Sequence, residues 1–105
     1  MKYKIEISET ANEDLNDLFS WIAFEKDSPK TAFNYLQNIY NGIKSLENNP
    51  TKYPIRNTPS IIINYGLNVR RFNYKSHAVL YSIDEIDKSV FIIKVLPQNM
   101  ITGLN

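Results

Sequence analysis

Three runs of strand length fill the last third of the chain: Val69 to Tyr74, His77 to Ile83 and Val90 to Leu96. Only two breaks separate them, the dipeptide Lys75-Ser76 and an acidic stretch from Asp84 to Lys88. Breaks this short turn a strand back beside its predecessor, which predicts an antiparallel meander over 69–74, 77–83 and 90–96. One face of such a sheet must be covered by something apolar while the other is free to meet solvent. What covers it has to come from upstream.

The upstream residues switch period. In KYKIEIS, Tyr3, Ile5 and Ile7 alternate with Lys2, Lys4 and Glu6, the pattern of a strand with one buried face. Ala11, Leu15, Leu18, Phe19 and Ile22 then recur at helical spacing and predict a helix over about 9–25. Thr10 and Glu13 have the spacing of a capping box, with Ser8 as the rival N-cap. EKDSP breaks that helix, and Ser28-Pro29 opens a second one over about 29–48, with Phe33, Leu36, Ile39, Tyr40, Ile43 and Leu46 as its stripe. Between residues 51 and 68 stand Pro54, Pro59, Gly66 and an isolated triplet, Ile61 to Ile63, which reads as a short strand or as a pin holding a loop to the core. The expected architecture is α+β: an N-terminal strand, a two-helix hairpin, and an antiparallel β-meander forming one sheet packed on the helices. All 105 residues read as one domain without internal repeats.

A two-residue turn at Lys75-Ser76 sets Tyr74 opposite His77, Phe72 opposite Val79 and Arg70 opposite Tyr81. Arg71, Asn73, Ala78 and Leu80 then share the other face, and a slip of one residue would exchange the two sets. Arg70 and Arg71 point to opposite sides in either register, so one of them alone joins a surface on the open face.

Net charge is +1, but it is unevenly spread. Residues 1–49 carry −3, residues 83–105 carry −1, and residues 50–82 carry +5 from Lys52, Arg56, Arg70, Arg71 and Lys75 with no acid among them. Such a block is either a solvated face or a patch for a polyanion or an acidic protein segment. Other chemistries find little material. One histidine and no cysteine furnish no ordinary transition-metal site, so neither a metal nor another cofactor is expected. The absence of cysteine suits a reducing cytoplasm, and MKYKIEISE lacks the apolar segment of a signal peptide. No apolar run is long enough to span a bilayer, so no membrane association is expected. The three glycines make no phosphate-binding loop, and adjacent Ser76-His77 lack a nucleophile-elbow motif. Tyr53, Tyr65 and Tyr74 are available either for packing or for stacking on single-stranded RNA.

The hairpin residues spaced as A…DL…WIA…SP…A, and above all NVRRFNYKSHAVLYSIDEIDKSVFIIKVLPQNM, resemble the RelE/ParE superfamily, toxins of type II toxin–antitoxin systems. The resemblance runs from about residue 3 to residue 100, and the long helical hairpin is more similar to the ParE branch. It implies a cytoplasmic growth-inhibiting toxin of the kind linked to plasmid stabilization. Its partner would be a cognate antitoxin encoded in an adjacent gene and bound to it as a hetero-oligomer. It also implies two targets: DNA gyrase, bound and poisoned without catalysis, or ribosome-bound mRNA, cut by a metal-independent mRNA interferase. A non-toxic or degenerate binding module of the same fold is the third reading.

Carried over residue by residue, the resemblance assigns Arg71, His77 and Tyr81 to catalysis if the protein is a ribonuclease, and Arg70, Arg71 and Lys75 to target or nucleic-acid binding. His77 has the reference pKa of a proton-transfer group, and it equally suits a surface hydrogen-bonding role. Tyr81 lies in an apolar alternation that also suits the core. Ala78, Pro97, Gln98 and Asn99 stand where the cutting branch places groups that grip phosphate. This departure favours gyrase, unless Arg71, Lys75 and His77 converge around the turn as a substitute cluster.

Overall fold

The computed structural model describes residues 2–100. In chain order it contains β1 (Lys4–Ile7), α1 (Glu9–Glu25), α2 (Pro29–Ser45), a 3-10 turn at Pro50–Lys52, α3 (Pro59–Tyr65), β2 (Arg70–Tyr74), β3 (His77–Asp84), β4 (Ser89–Pro97) and a second 3-10 turn at Gln98–Met100. The sheet order is β1-β4-β3-β2. β2, β3 and β4 form the antiparallel meander, while β1 adds itself parallel to β4 at the far edge, so the sheet is mixed. No helix among the described residues is long and apolar enough to cross a membrane.

Ser8, not Thr10, caps α1: its Oγ accepts the Ala11 N–H at 2.9 Å. Ser28 caps α2 by accepting the Thr31 N–H, with Pro29 in the first turn. α2 ends at Ser45, three residues before the boundary expected from ENNP. The buried stripes are Ala11, Leu15, Leu18 and Ile22 on α1 and Ala32, Leu36, Ile39, Ile43 and Leu46 from α2 and its cap. Phe19, Phe33 and Tyr40, assigned to those stripes from their spacing, instead stand exposed. Each lies about 100° around its helix from a core position, where the smaller Ala32 or the aliphatic Leu18 and Ile39 already fill the contact.

The hairpin register is the one a two-residue turn demands, with Arg70 opposite Tyr81, Phe72 opposite Val79 and Tyr74 opposite His77. Lys75 takes φ +51° to make it. Phe72, Val79, Tyr81, Val90, Ile92 and Val95 pack on the helical pair. An extra residue in β4 at the Leu80/Tyr81 step restores this alternation beyond the irregularity.

The Ile61 to Ile63 triplet is neither strand nor loop but the middle of α3. Thr58 caps it by accepting the Ile61 N–H, Pro59 occupies its first turn, and Gly66, at φ +100°, ends it. Ile61 presses into a second apolar cluster with Val69, Ala78 and Leu80, flanked by Tyr65, Ile93 and Leu96. The face expected to be open is thus closed over its middle. Consequently Ala78, Val79, Leu80 and Tyr81 are all fully buried, and burying a Leu- or Val-sized side chain contributes about 1.5–3 kcal/mol.

Candidate target-binding surface

The pleat of β2 divides the cations that the sequence singles out. Arg70 shares the hairpin side with Phe72 and Tyr74, and its Nη1 donates to the Tyr53 carbonyl at 2.6 Å beneath the loop after α2. Arg71 and Asn73 point to the α3 side.

Two neutral amides hold the Arg71 guanidinium. Nε donates to Asn73 Oδ1 at 2.8 Å and Nη2 donates to Gln98 Oε1 at 3.1 Å. These bonds use two of the five N–H donors of a guanidinium, a group whose donors suit a carboxylate or phosphate. Because the holders are uncharged, they fix its direction without cancelling its charge. Arg56 reinforces that charge. Its N–H donates to the Val69 carbonyl at 2.7 Å and Ile55 bridges Arg70, so Arg56 stands opposite Val69 on the same face as Arg71. The two arginines are diagonal neighbours across this bridge, within reach of each other's long side chains. Burial first, and then the like charge of Arg56, lower the Arg71 pKa.

The described ion pairs are Lys4–Asp87, Lys88–Glu85 and Lys94–Asp14. None of Lys52, Arg56, Arg70, Arg71 or Lys75 has an acidic partner among the described residues. The basic block therefore remains uncompensated after folding.

Gln98 organises this corner. Besides holding Arg71, its Nε2 donates to the Lys75 carbonyl at 2.5 Å and its N–H donates to the Ser76 carbonyl at 2.8 Å. The β2–β3 turn is thereby stapled to the end of β4, with Lys75 Nζ over the Tyr74 ring at 5.5 Å. No local pattern announces this role, since 23 residues separate Gln98 from Lys75.

His77 lies on the other side of the sheet. Its Nδ1 shares a 2.9 Å hydrogen bond with Tyr35 Oη from α2, Ser76 Oγ lies at 3.2 Å, and the Tyr35 ring meets it edge-on. Burial pushes its pKa below the ordinary histidine value. Tyr81 is in the core, where its hydroxyl donates to the Pro50 carbonyl at 2.7 Å and burial drives its pKa up to about 12. The three residues assigned to catalysis thus occupy three environments: Arg71 the α3 face, His77 the hairpin side, Tyr81 the interior. Tyr53 stacks on Phe72, Tyr74 packs against Tyr35, and Tyr65 flanks the second cluster, so each of these rings is engaged in packing.

The family described as ParE toxin of type II toxin-antitoxin system, parDE, matches residues 5–102. No curated protein sequence matches the chain. Among solved structures, the chain resembles the chromosomal ParDE toxin–antitoxin system of P. aeruginosa with TM-score 0.70 and 15% identity, covering 91% of this chain and 96% of that one. It resembles a free-state mutant of the E. coli toxin RelE with TM-score 0.66 and 14% identity, covering 99% and 90%. The RelBE2 toxin–antitoxin complex of Mycobacterium tuberculosis gives TM-score 0.62 and 19% identity, covering 92% of each chain. The structural likenesses carry the fold, and the family match spans nearly the whole sequence: the chain belongs to the ParE toxin family of type II toxin–antitoxin systems.

Proposed function

We propose that this toxin arrests growth by binding its target, with DNA gyrase as that target, and not by cutting RNA. One observation carries the reading: Arg71 and His77 stand on opposite faces of the sheet. RNA cleavage by 2′-hydroxyl attack needs cations at the phosphate and a proton-transfer group within hydrogen-bond reach of the same reacting centre. A sheet lies between those two groups here, and buried Tyr81 holds its proton far above neutral pH. The Arg56–Arg71 surface serves instead as a preoriented contact for acidic groups of a partner.

The antitoxin is a second protein partner, encoded beside the toxin and bound in the cytoplasm. Its seat is the outer face of the helical pair, where Phe19, Phe33 and Tyr40 border a groove of about 220 Å3 with Leu15 and Leu36. An amphipathic helix fits such a groove through apolar anchors at i, i+3 and i+4.

The test is purified toxin assayed in parallel on gyrase-driven supercoiling and on translating ribosomes. Blocked supercoiling with intact mRNA, relieved in Arg71→Ala, is the expected result. Cleavage of mRNA that disappears in Arg71→Ala and His77→Ala would overturn the proposal.

A further inference from the structure

A cavity of about 860 Å3 opens between α1 and the C-terminal end of β4, lined by His77 and, at the end that adjoins the Arg71 corner, by Gln98. Its size falls within the range of about 300–1,000 Å3 that ligand sites occupy. Asp14, Asp17, Leu18 and Trp21 form one wall, a single stripe of α1 at helical spacing. Leu18 and Val95, 7% and 4% exposed, make an apolar floor, and Pro97 faces them from the other wall.

The charges in the lining are unequal. Asp14 is fully committed, with Oδ1 on Lys94 and Oδ2 on the Val95 N–H. Asp17 takes part in none of the described ion pairs or hydrogen bonds, and it stands one helical turn from Trp21. Trp21 is the chain's one tryptophan and is 58% exposed. Lys94 is drawn to Asp14, and the lining itself contains no lysine or arginine. His77 adds no opposing charge at neutral pH, because burial lowers its pKa.

We propose that this cavity receives an arginine or lysine side chain, flanked by apolar residues, from a partner polypeptide. The aliphatic stem of such a side chain covers Leu18 and Val95. Its cationic head meets the Asp17 carboxylate and the face of Trp21, the pairing that attracts a cation most strongly to an indole. An acidic segment or a nucleic acid would meet a rim of its own sign. The site is thus opposite in polarity to the Arg56–Arg71 surface and does not depend on the target proposed for that surface.

Trp21 makes the proposal measurable, since its emission reports on this cavity alone. The full-length protein is titrated with a capped octapeptide of alternating arginine and leucine, and with an analogue in which glutamate replaces arginine. The expected result is a saturable blue shift with the basic peptide and none with the acidic one. Asp17→Asn should weaken binding about tenfold, the loss of one charge-assisted contact of about 1.4 kcal/mol. Glu13→Gln, a charge lost from α1 outside the cavity, should leave binding unchanged. Equal binding of both peptides, wild-type affinity in Asp17→Asn, or unmoved Trp21 emission would each overturn the inference. Binding that emerges only after residues 101–105 are deleted would also overturn it, by showing that this segment of the chain competes for the cavity.

Discussion

The Asp14 carboxylate of α1 binds two consecutive residues of β4: Oδ2 accepts the Val95 N–H at 3.1 Å and Oδ1 meets Lys94 Nζ at 2.9 Å. β1 accompanies β4 only as far as Ile7 opposite Ile92. Beyond that point Ser8 Oγ donates to the Ile93 carbonyl at 2.9 Å, and then Asp14 takes over. The first turns of α1 thereby stand in for a missing stretch of strand and close an edge that would otherwise invite pairing with another chain. Asp14→Ala should cost about 1–3 kcal/mol, because a half-buried backbone donor loses its acceptor. Asp14→Asn should cost less, since its amide oxygen still accepts from Val95. Urea denaturation of both variants checks the order, and equal stability of Asp14→Ala and wild type would refute this role.

Tyr81 ties the core to the loop after α2 through the Pro50 carbonyl. Tyr81→Phe keeps the ring and strands that carbonyl, for an expected loss of about 1–3 kcal/mol. The pH dependence has a definite sign. The folded pKa, about 12, lies above the ordinary tyrosine value of 10.0, so the folded state holds the proton more tightly. The stability this provides is fully present below pH 10 and is lost between about pH 10 and 12, where the unfolded chain ionises first. The difference in stability between wild type and Tyr81→Phe should therefore shrink across that window. A difference that stays constant to pH 12 would contradict the assignment.

The meander is legible in the sequence because short breaks separate its strands; the register of its first hairpin stays open to a slip of one residue there, and the structure adopts the one with Tyr74 opposite His77. The capped helices were equally legible where Ser28-Pro29 announces one. The same signal is present at Thr58-Pro59, with Gly66 as its stop, yet three β-branched isoleucines inside it read as a short strand or as a pin holding a loop to the core. Tertiary packing of Ile61 on Val69 and Leu80 overrode that propensity. The site was harder to read. Alternation along β2 separates Arg70 from Arg71, but one of the two amides that hold Arg71 comes from Gln98, and the shorter bond to His77 comes from Tyr35, 42 residues away. Contacts across such separations leave no period in a sequence.

His77 should act on stability at the acid end. Burial lowers its folded pKa, so the folded state disfavours the charged ring. The stabilisation is present above the unfolded pKa near 6.5 and is lost as pH falls from there through the folded pKa. His77→Gln should flatten the acid limb of the stability profile as pH falls below about 6.5. The chain has one histidine, so its imidazole resonances can be followed without assignment. An NMR titration midpoint at or above 6.5 would rule out the buried, neutral ring.

Gln98 offers the sharpest separation of charge from fold. Its Oε1 accepts from Arg71 and its Nε2 donates to the Lys75 carbonyl. Gln98→Glu keeps the shape and the contact to Arg71, now as a charge-assisted pair, but forfeits the bond to Lys75. The gain and the loss are each on the order of 1 kcal/mol, so the melting temperature should move little. The surface changes more, because a carboxylate at Gln98 cancels the Arg71 charge that neutral amides leave intact. Induced expression of Gln98→Glu should therefore arrest growth far less than wild type, approaching Arg71→Gln, while a thermal melt shows an intact fold. Gln98→Asn, neutral but one methylene too short to hold both groups, should fall between them. Full growth arrest by a folded Gln98→Glu variant would remove the uncompensated Arg71 charge from the toxic mechanism.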